Sequence, residues 1–442
     1  MANTRTFKGG VHPHETGNGK QSTNAQAVID AKVPAFVTIP LSQHIGAPCK
    51  CVVTPGQVVA MGQVIGEAGG FVSAPVHASV SGKVKALCNC VLQSGKSVPA
   101  VVIENDFEDR WDECVKPRAN VGSLNAKELL EIVRDRGIVG LGGATFPTAV
   151  KLAPPPEKQV DTLILNGAEC EPYLTSDHRL MLEHAAEVVD GMLLEAKMLG
   201  ASRMMVGIED NKPDAVSAMQ QAAQGKNIEV VALPTKYPQG GEKQLIFALT
   251  GRRVPNGGLP ADVKTVVSNV STAYAVSKAV RENKPLIDRV VTVAGHVKKP
   301  ANLRVRIGTP LLDLVQACGG FEDGVRKVVL GGPMMGAAIS TLNIPVTKGT
   351  SGLLAFGAEG VHAKESPCIR CGRCVQACPM RLVPTQIDAY ARRSHWEDCE
   401  KIGAMNCMEC GACTFVCPAK RELTQSCRMA KLGIRAAGAK KS

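Results

Sequence analysis

The chain has 442 residues, 45% hydrophobic and only 3% aromatic, with 17 cysteines and a formal net charge of +11. That length implies roughly three or four domains. No stretch reaches the roughly 18 uninterrupted apolar residues of a membrane helix: the most apolar helical stretch, 191–208, is broken by Glu195, Lys197 and Arg203. So few aromatic rings exclude a base-stacking platform and nucleic acid as partner, and the positive charge points instead to an anionic membrane surface or acidic redox proteins. Cysteines on this scale without a secretory leader imply a reducing compartment, so the expected place is the cytoplasm or a surface facing it.

Residues 1–30, with Gly9-Gly10, His12-Pro13-His14 and Gly17-Asn18-Gly19, follow neither helical nor strand periodicity and read as an extended polar arm. His12 and His14 are candidate ligands, weighed against a plain polar arm. Within 31–110, short β-rich runs alternate with glycine turns. The pieces Gly62-Gln63-Val64-Ile65-Gly66 and Ala74-Pro75-Val76, with the return through Ser81-Gly82-Lys83-Val84, resemble the biotinyl/lipoyl barrel-sandwich module. That family carries a modified lysine at its hairpin tip. Here the tip, 67–72, has none, so a scaffold rather than a swinging arm is expected. Cys49 and Cys51 enter these strands and Cys88 and Cys90 leave them. Side chains two apart share one face of a strand, so the four thiols are a candidate extra metal site, with simple packing as the plainer reading.

Residues 120–285 alternate helix and strand, which implies an α/β layer with mostly parallel strands. An amphipathic run, 129–134, precedes the loop Gly140-Leu141-Gly142-Gly143-Ala144-Thr145-Phe146-Pro147. Strands are expected at 162–165, 204–208, 229–233 and 265–268, with one long helix over 177–199 capped by Thr175-Ser176. The closely spaced glycines would bring backbone N–H groups to a phosphate ahead of a helix starting near Pro147, or would simply form a turn. Residues 286–356 read strand, hairpin, strand and helix, an outline that resembles the SLBB β-grasp module.

Residues 357–430 hold Cys368-x-x-Cys371-x-x-Cys374-x-x-x-Cys378-Pro379 and then the same spacing at Cys407, Cys410, Cys413, Cys417 and Pro418. In such twin runs three thiolates wrap one cube and the fourth reaches the other. One [4Fe–4S] cluster is therefore assigned to Cys368, Cys371, Cys374 and Cys417, and the second to Cys407, Cys410, Cys413 and Cys378. Zinc would leave the third and fourth cysteines of each run without a role. A helical insertion fits around 385–393, and 431–442, with Lys431, Arg435, Lys440 and Lys441, reads as a disordered basic tail able to help dock on an anionic leaflet.

Four segments together resemble the flavin- and NADH-binding subunit of respiratory complex I. They are the loop with Gly140, Gly142, Gly143, Phe146, Pro147 and Lys151, then Asn166 to Pro172, then Tyr237 to Glu242, and finally Val266 to Thr272. The resemblance implies FMN held by Gly140, Gly142, Lys151, Asn166, Glu169, Gly240, Asn269 and Thr272, and NADH met by Phe146, Glu171 and Glu242. Leu141, Thr145, Ala168, Gly241 and Ser268 depart from that family's pattern and put individual contacts, chiefly around the nicotinamide, in question.

The order of all four modules is closer to the C-subunit family of Rnf (Rsx) electron-transport complexes. Gly9 to Pro13, Gly69 to Pro75, Asn166 to Tyr173 with Asp177-His178-Arg179, and Gly331-Gly332-Pro333-Met334-Met335-Gly336 look like that family, and the long C-terminal repeat extension of some members is not expected. The resemblance implies a multidomain α/β and β protein: barrel-sandwich, complex-I-type flavin domain, SLBB β-grasp and twin-cluster ferredoxin-like domain. It implies a peripheral translocase subunit on the cytoplasmic face of the bacterial inner membrane. Its partners would be the ferredoxin-like B subunit and the membrane-embedded subunits, with ferredoxin:NAD+ electron transfer coupled to Na+ or H+ movement. The coupled ion and the direction of flow are not legible in this chain. Two other readings stand beside it: an electron-wire or assembly scaffold with a vestigial flavin site, and a soluble NADH dehydrogenase or hydrogenase flavin subunit.

Overall fold

The computed structural model describes residues 5–13, 19–361 and 364–439. His14, Lys440 and Lys441 lie outside the described residues. At the centre is a parallel sheet in the order Ile228–Leu233, Arg203–Glu209, Thr162–Gly167, Thr265–Asn269. Strand alternation splits its side chains between two cores. Leu163, Leu165, Val206, Ile208 and Val266 face helices Ala126–Asp135, Ala185–Leu199 and Val270–Glu282, while Ile164, Met205 and Val267 face helix Glu242–Thr250. A sheet covered on both faces accounts for its near-continuous apolar strands.

The single helix expected over 177–199 is two helices, Ser176–Glu183 and Ala185–Leu199, broken at His184. The break lets the first pack on Pro213–Ala222 and the second on Val270–Glu282. In the second helix Gly191 lies against the Ala273 backbone, where an added Cβ would sit 1.8 Å from the carbonyl oxygen, so the close helix crossing depends on glycine.

The barrel-sandwich strands form two antiparallel sheets, Phe36–Pro40, Ser97–Asn105, Gly82–Val91 and Val58–Val59 in one, Lys50–Cys51, Val64–Glu67 and Val76–His77 in the other. Their core runs into that of the flavin domain. The β-grasp sheet is mixed: Asp288–Gly295 pairs antiparallel with Ala301–Arg306 and parallel with Gly352–Phe356. Ile29–Asp30 adds to its edge beside Leu303 and Arg304, so the N-terminal arm is extended but pinned. The sequence gives no sign of this, because two exposed residues carry no alternation.

The cluster domain contains the expected insertion as helices Pro384–Ala391 and Trp396–Lys401, packed on helix Leu423–Ala439. Buried Asp388 ties them together by accepting bonds from Arg392, Arg421 and Ser426. The last helix corrects the expectation of a disordered tail from 431: through Ala439 the chain is helical, and Lys431 donates to the Cys407 carbonyl and to Glu409.

Candidate electron-transfer site

The two cysteine runs share one backbone design. Positive φ recurs at Arg370 and Glu409, at Gly372 and Gly411, and at Arg381 and Lys420, equivalent places in each half. These left-handed residues turn each loop inward, so that Arg370 N–H and Glu409 N–H donate to the sulfurs of Cys368 and Cys407 at 3.4 Å. Two cavities result. One is lined by Cys368, Cys371, Cys374 and Cys417, the other by Cys378, Cys407, Cys410 and Cys413. Each run's fourth cysteine thus lies in the other run's cavity, as crossed ligation requires. Among the described residues no three His, Cys, Asp or Glu side chains converge as they would on a single ion; thiols spread around a cavity suit a polynuclear cluster. Burial pushes the thiol of Cys410 up to about 12 and that of Cys413 up to about 11, so a cation must offset the cost of their thiolates.

The cavities are not equivalent. Cys368 and Cys371 are exposed beside Ile369, so the first cavity is the outer one. The second is the inner one, pressed on the flavin domain. Tyr237 Oη donates to the Cys410 carbonyl at 2.7 Å, Gln244 Nε2 donates to Met380 Sδ at 3.3 Å, and Gly10 N–H donates to the Ala377 carbonyl at 2.8 Å. Tyr237, Val11, Ala377, Cys410 and Ala412 form one apolar cluster across that contact. Between the cavities, Cys374 and Cys417 of one pack with Cys413 of the other.

The loops at the carboxyl edge of the parallel sheet, where open α/β sheets bind ligands, bring most of the expected flavin residues together. Gly140 N–H donates to the Phe146 carbonyl at 2.9 Å, closing the glycine loop and leaving Gly142 and Gly143 exposed. Leu141 N–H donates to Thr272 Oγ1 at 2.9 Å. Gly142 lies on the Asn269 side chain with no room for a Cβ. Asn166 donates to the Gly240 carbonyl at 2.9 Å, and Asn269 donates to the Asn166 carbonyl at 3.4 Å. Lys151 pairs with Glu242 at 3.0 Å, and Phe146 is half-buried at the loop's return. The helix expected near Pro147 is a single turn, Thr148–Lys151. Thr148 Oγ1, in the turn that follows the loop, is buried without a hydrogen-bond partner, and an added Cβ at Gly143 would meet nothing within 4 Å. Spare hydrogen-bonding capacity around an open glycine loop fits a flavin phosphate and ring.

Two expected ligands have other partners. The Glu169 carboxylate accepts the N–H groups of Asp177 (2.7 Å) and His178 (3.1 Å) and so caps helix Ser176–Glu183. The Glu171 carboxylate accepts Met334 N–H at 2.9 Å and Met335 N–H at 3.0 Å, and at 3.2 Å shares the Tyr237 hydroxyl proton with the Cys410 carbonyl. It therefore holds the β-grasp loop onto the flavin domain, and burial raises it to about 7. Lys20 and Lys212 brace the same loop through the carbonyls of Glu169, Glu171 and Ala168. Asp177, not singled out as a ligand from sequence, accepts Asn269 Nδ2 at 2.7 Å and Ser271 Oγ at 2.5 Å and so aims Asn269. Burial, then the nearby Glu169 charge, raises it. Its place beside the family phrase ending at Tyr173 was the available signal.

The candidate extra metal site is not assembled. Cys51 belongs to the smaller barrel-sandwich sheet and Cys49 immediately precedes its strand; they donate to the carbonyls of Val53 and Ala74. Cys88 and Cys90 lie in the other sheet, where Gly82–Val91 runs on past its partner Val58–Val59 as a ribbon opposite Ala100 and Val98. The entering and leaving strands, expected to lie near each other, are here in different sheets. Among the described residues His12 belongs to no group of three or more metal-ligating side chains either.

Two thiol cavities in series, butted against a parallel sheet with a glycine loop at its carboxyl edge, define the class: an iron–sulfur flavoprotein that relays electrons. Models for the RnfC barrel sandwich hybrid domain, the Nuo51 FMN-binding domain, the SLBB domain and the 4Fe-4S dicluster domain match residues 5–108, 133–278, 290–338 and 367–420. The chain is 50% identical to the C-subunit of the proton-translocating ferredoxin:NAD(+) oxidoreductase complex of Clostridium ljungdahlii, covering 98% of this chain and 95% of that one. It is also 50% identical to the C-subunit of the Na(+)-translocating ferredoxin:NAD(+) oxidoreductase complex of Acetobacterium woodii, over 97% of each chain. It is 46% identical to the C-subunit of the ion-translocating oxidoreductase complex of Rhodobacter capsulatus, over 96% of this chain and 82% of that one. The chain belongs to the C-subunit family of Rnf-type ion-translocating ferredoxin:NAD+ oxidoreductase complexes. Membership over nearly the full length sets aside the soluble dehydrogenase or hydrogenase reading. Among the described residues no helix is long and apolar enough to cross a membrane.

Proposed function

We propose that this chain is the peripheral NADH-, FMN- and iron–sulfur-binding subunit of an Rnf-type membrane complex, on its cytoplasmic face, working in ferredoxin:NAD+ electron transfer coupled to Na+ or H+ transport. The observation that carries the proposal is the order of sites. The flavin loops touch the inner cysteine cavity through Tyr237 and Cys410, the inner cavity adjoins the outer one, and the outer one opens to the surface at Cys368 and Cys371. Gly140, Gly142, Lys151, Asn166, Gly240, Asn269 and Thr272 would hold FMN, with Phe146 and Glu242 toward NADH. When bound, FMN supplies the conversion between a hydride's electron pair and the single electrons an iron–sulfur cluster takes.

The chain's own residues do the rest. Asp177 orients Asn269, Lys151 offers the positive charge that a phosphate or reduced flavin requires, and Glu171 with Tyr237 fixes the distance to the inner cavity. Apolar packing around Cys410 keeps water from that junction. A ferredoxin-like partner protein would meet the exposed rim at Ile369 and Arg370. Relatives of equal identity are named for H+ and for Na+ translocation, which supports placing ion choice in other subunits.

The alternative, an electron wire with a vestigial flavin site, is favoured by one observation: the carboxylates of Glu169 and Glu171 are already engaged. Anaerobic reconstitution decides. The proposal expects about one FMN and about eight irons per chain, with NADH bleaching the flavin and reducing both clusters. Full iron without flavin, and no reduction by NADH, would leave the wire.

A further inference from the structure

The inner cavity holds a fifth cysteine. Cys427, on helix Leu423–Ala439, lines it beside Cys378, Cys407, Cys410 and Cys413, whereas the outer cavity has only its four. Cys427 stands outside both ferredoxin runs, is 1% exposed, and belongs to the buried cluster against which Cys407 packs. Other buried cysteines here answer to the chain itself: Cys49 donates to the Ala74 carbonyl and Cys399 toward the Ile387 carbonyl. Cys427 instead lines the cavity of the expected iron ligands, from a helix held to the insertion by the Ser426–Asp388 bond.

We propose that Cys427 is a reserve sulfur donor of the inner cluster, packed beside Cys407 in the intact protein and able to take over the iron of that ligand when Cys407 is lost. The inference rests on the reading of the cavity as a [4Fe–4S] site. When Cys407 is lost, Cys427 forms the iron–sulfur bond that Cys407 would have made, the Cys427 proton leaves to solvent, and no electron moves. With the cluster bound, the neighbouring Cys427 S–H would donate to a cluster sulfur, and such hydrogen bonds raise reduction potential.

The test uses the full chain reconstituted anaerobically as wild type, Cys427→Ala, Cys407→Ala and the double variant, with iron content, EPR spectra and redox titration as readouts. Cys427→Ala is expected to keep about eight irons while the inner cluster's potential moves to more negative values. Cys407→Ala is expected to keep about eight irons with an altered inner signal, and the double variant to fall to about four. Cys407→Ala at about four irons with the outer signal intact, or an inner potential unchanged in Cys427→Ala, would overturn the inference. Should Cys407→Ala lose the outer signal too, the potential of Cys427→Ala decides alone. A wild type short of about eight irons would instead defeat the cluster reading on which it rests.

Discussion

Replacing Glu171 by glutamine separates a carboxylate that locks an interface from one that binds a nucleotide. In the structure its oxygens accept Met334 N–H and Met335 N–H and share the Tyr237 hydroxyl proton with the Cys410 carbonyl, and burial raises it from 4.5 to about 7. Between those values the folded chain binds more protons at this site than the unfolded chain. Its contribution to stability is therefore complete below pH 4.5 and is lost as pH rises through about 7. The difference of about 2.5 pH units corresponds to about 3 kcal/mol as an upper bound. Glutamine does not titrate, and every other group is common to both proteins. Thermal unfolding of the two, followed anaerobically by circular dichroism at about pH 5 and about pH 8, should show Glu171→Gln gaining on wild type at the higher pH. The KM for NADH should change little. A stability difference that is the same at both pH values, with KM raised several-fold, would refute the interface role and restore the nucleotide role.

Cys417→Ala, although it alters the second cysteine run, should remove the outer cluster: iron falls from about eight to about four and the inner EPR signal persists. Loss of the inner signal instead would contradict crossed ligation. Asn269→Ala removes the side chain that accepts Ser271 N–H and caps helix Val270–Glu282, so about 1 kcal/mol of stability should go with the flavin on gel filtration; full flavin retention would count against its place in the site. Lys151 and Glu242 are 34% and 41% exposed, so Glu242→Gln should shift stability by less than about 1 kcal/mol. The same change should weaken NADH reactivity by roughly 1.5–3 kcal/mol with FMN still bound. Flavin loss with unchanged NADH kinetics in the remaining holoprotein would reverse the assigned roles.

Much of this architecture is written locally. Cysteine spacing with a trailing proline marks the twin cavities because three turns of loop and one displaced thiolate are set by residues close in sequence. The strands of the parallel sheet announce themselves as apolar runs because both faces are covered. What was not legible depends on partners far away in the chain. Glu171 looks like an open ligand until Met334 and Met335 arrive from the β-grasp loop, and Glu169 until the helix at Ser176 turns its amides toward it. Cys49, Cys51, Cys88 and Cys90 satisfied the local rule that residues two apart share a face, yet sheet membership separated the pairs. Lys431 resembles a solvated tail residue, and only Glu409, across the inner cavity's rim, shows why the helix continues. Cys427 carries no spacing signal at all, since its relation to Cys407 is made by helix packing.

The relay order is tested most directly by NADH reduction of Cys378→Ala, which loses an inner-cavity thiol and leaves the outer four untouched. Mixed anaerobically with NADH and followed by absorbance and EPR, this variant should bleach its flavin while the outer cluster stays oxidised on the wild-type time scale. An outer-cluster signal appearing at the wild-type rate, with the inner cluster absent, would contradict the order of flavin, inner cavity and outer cavity.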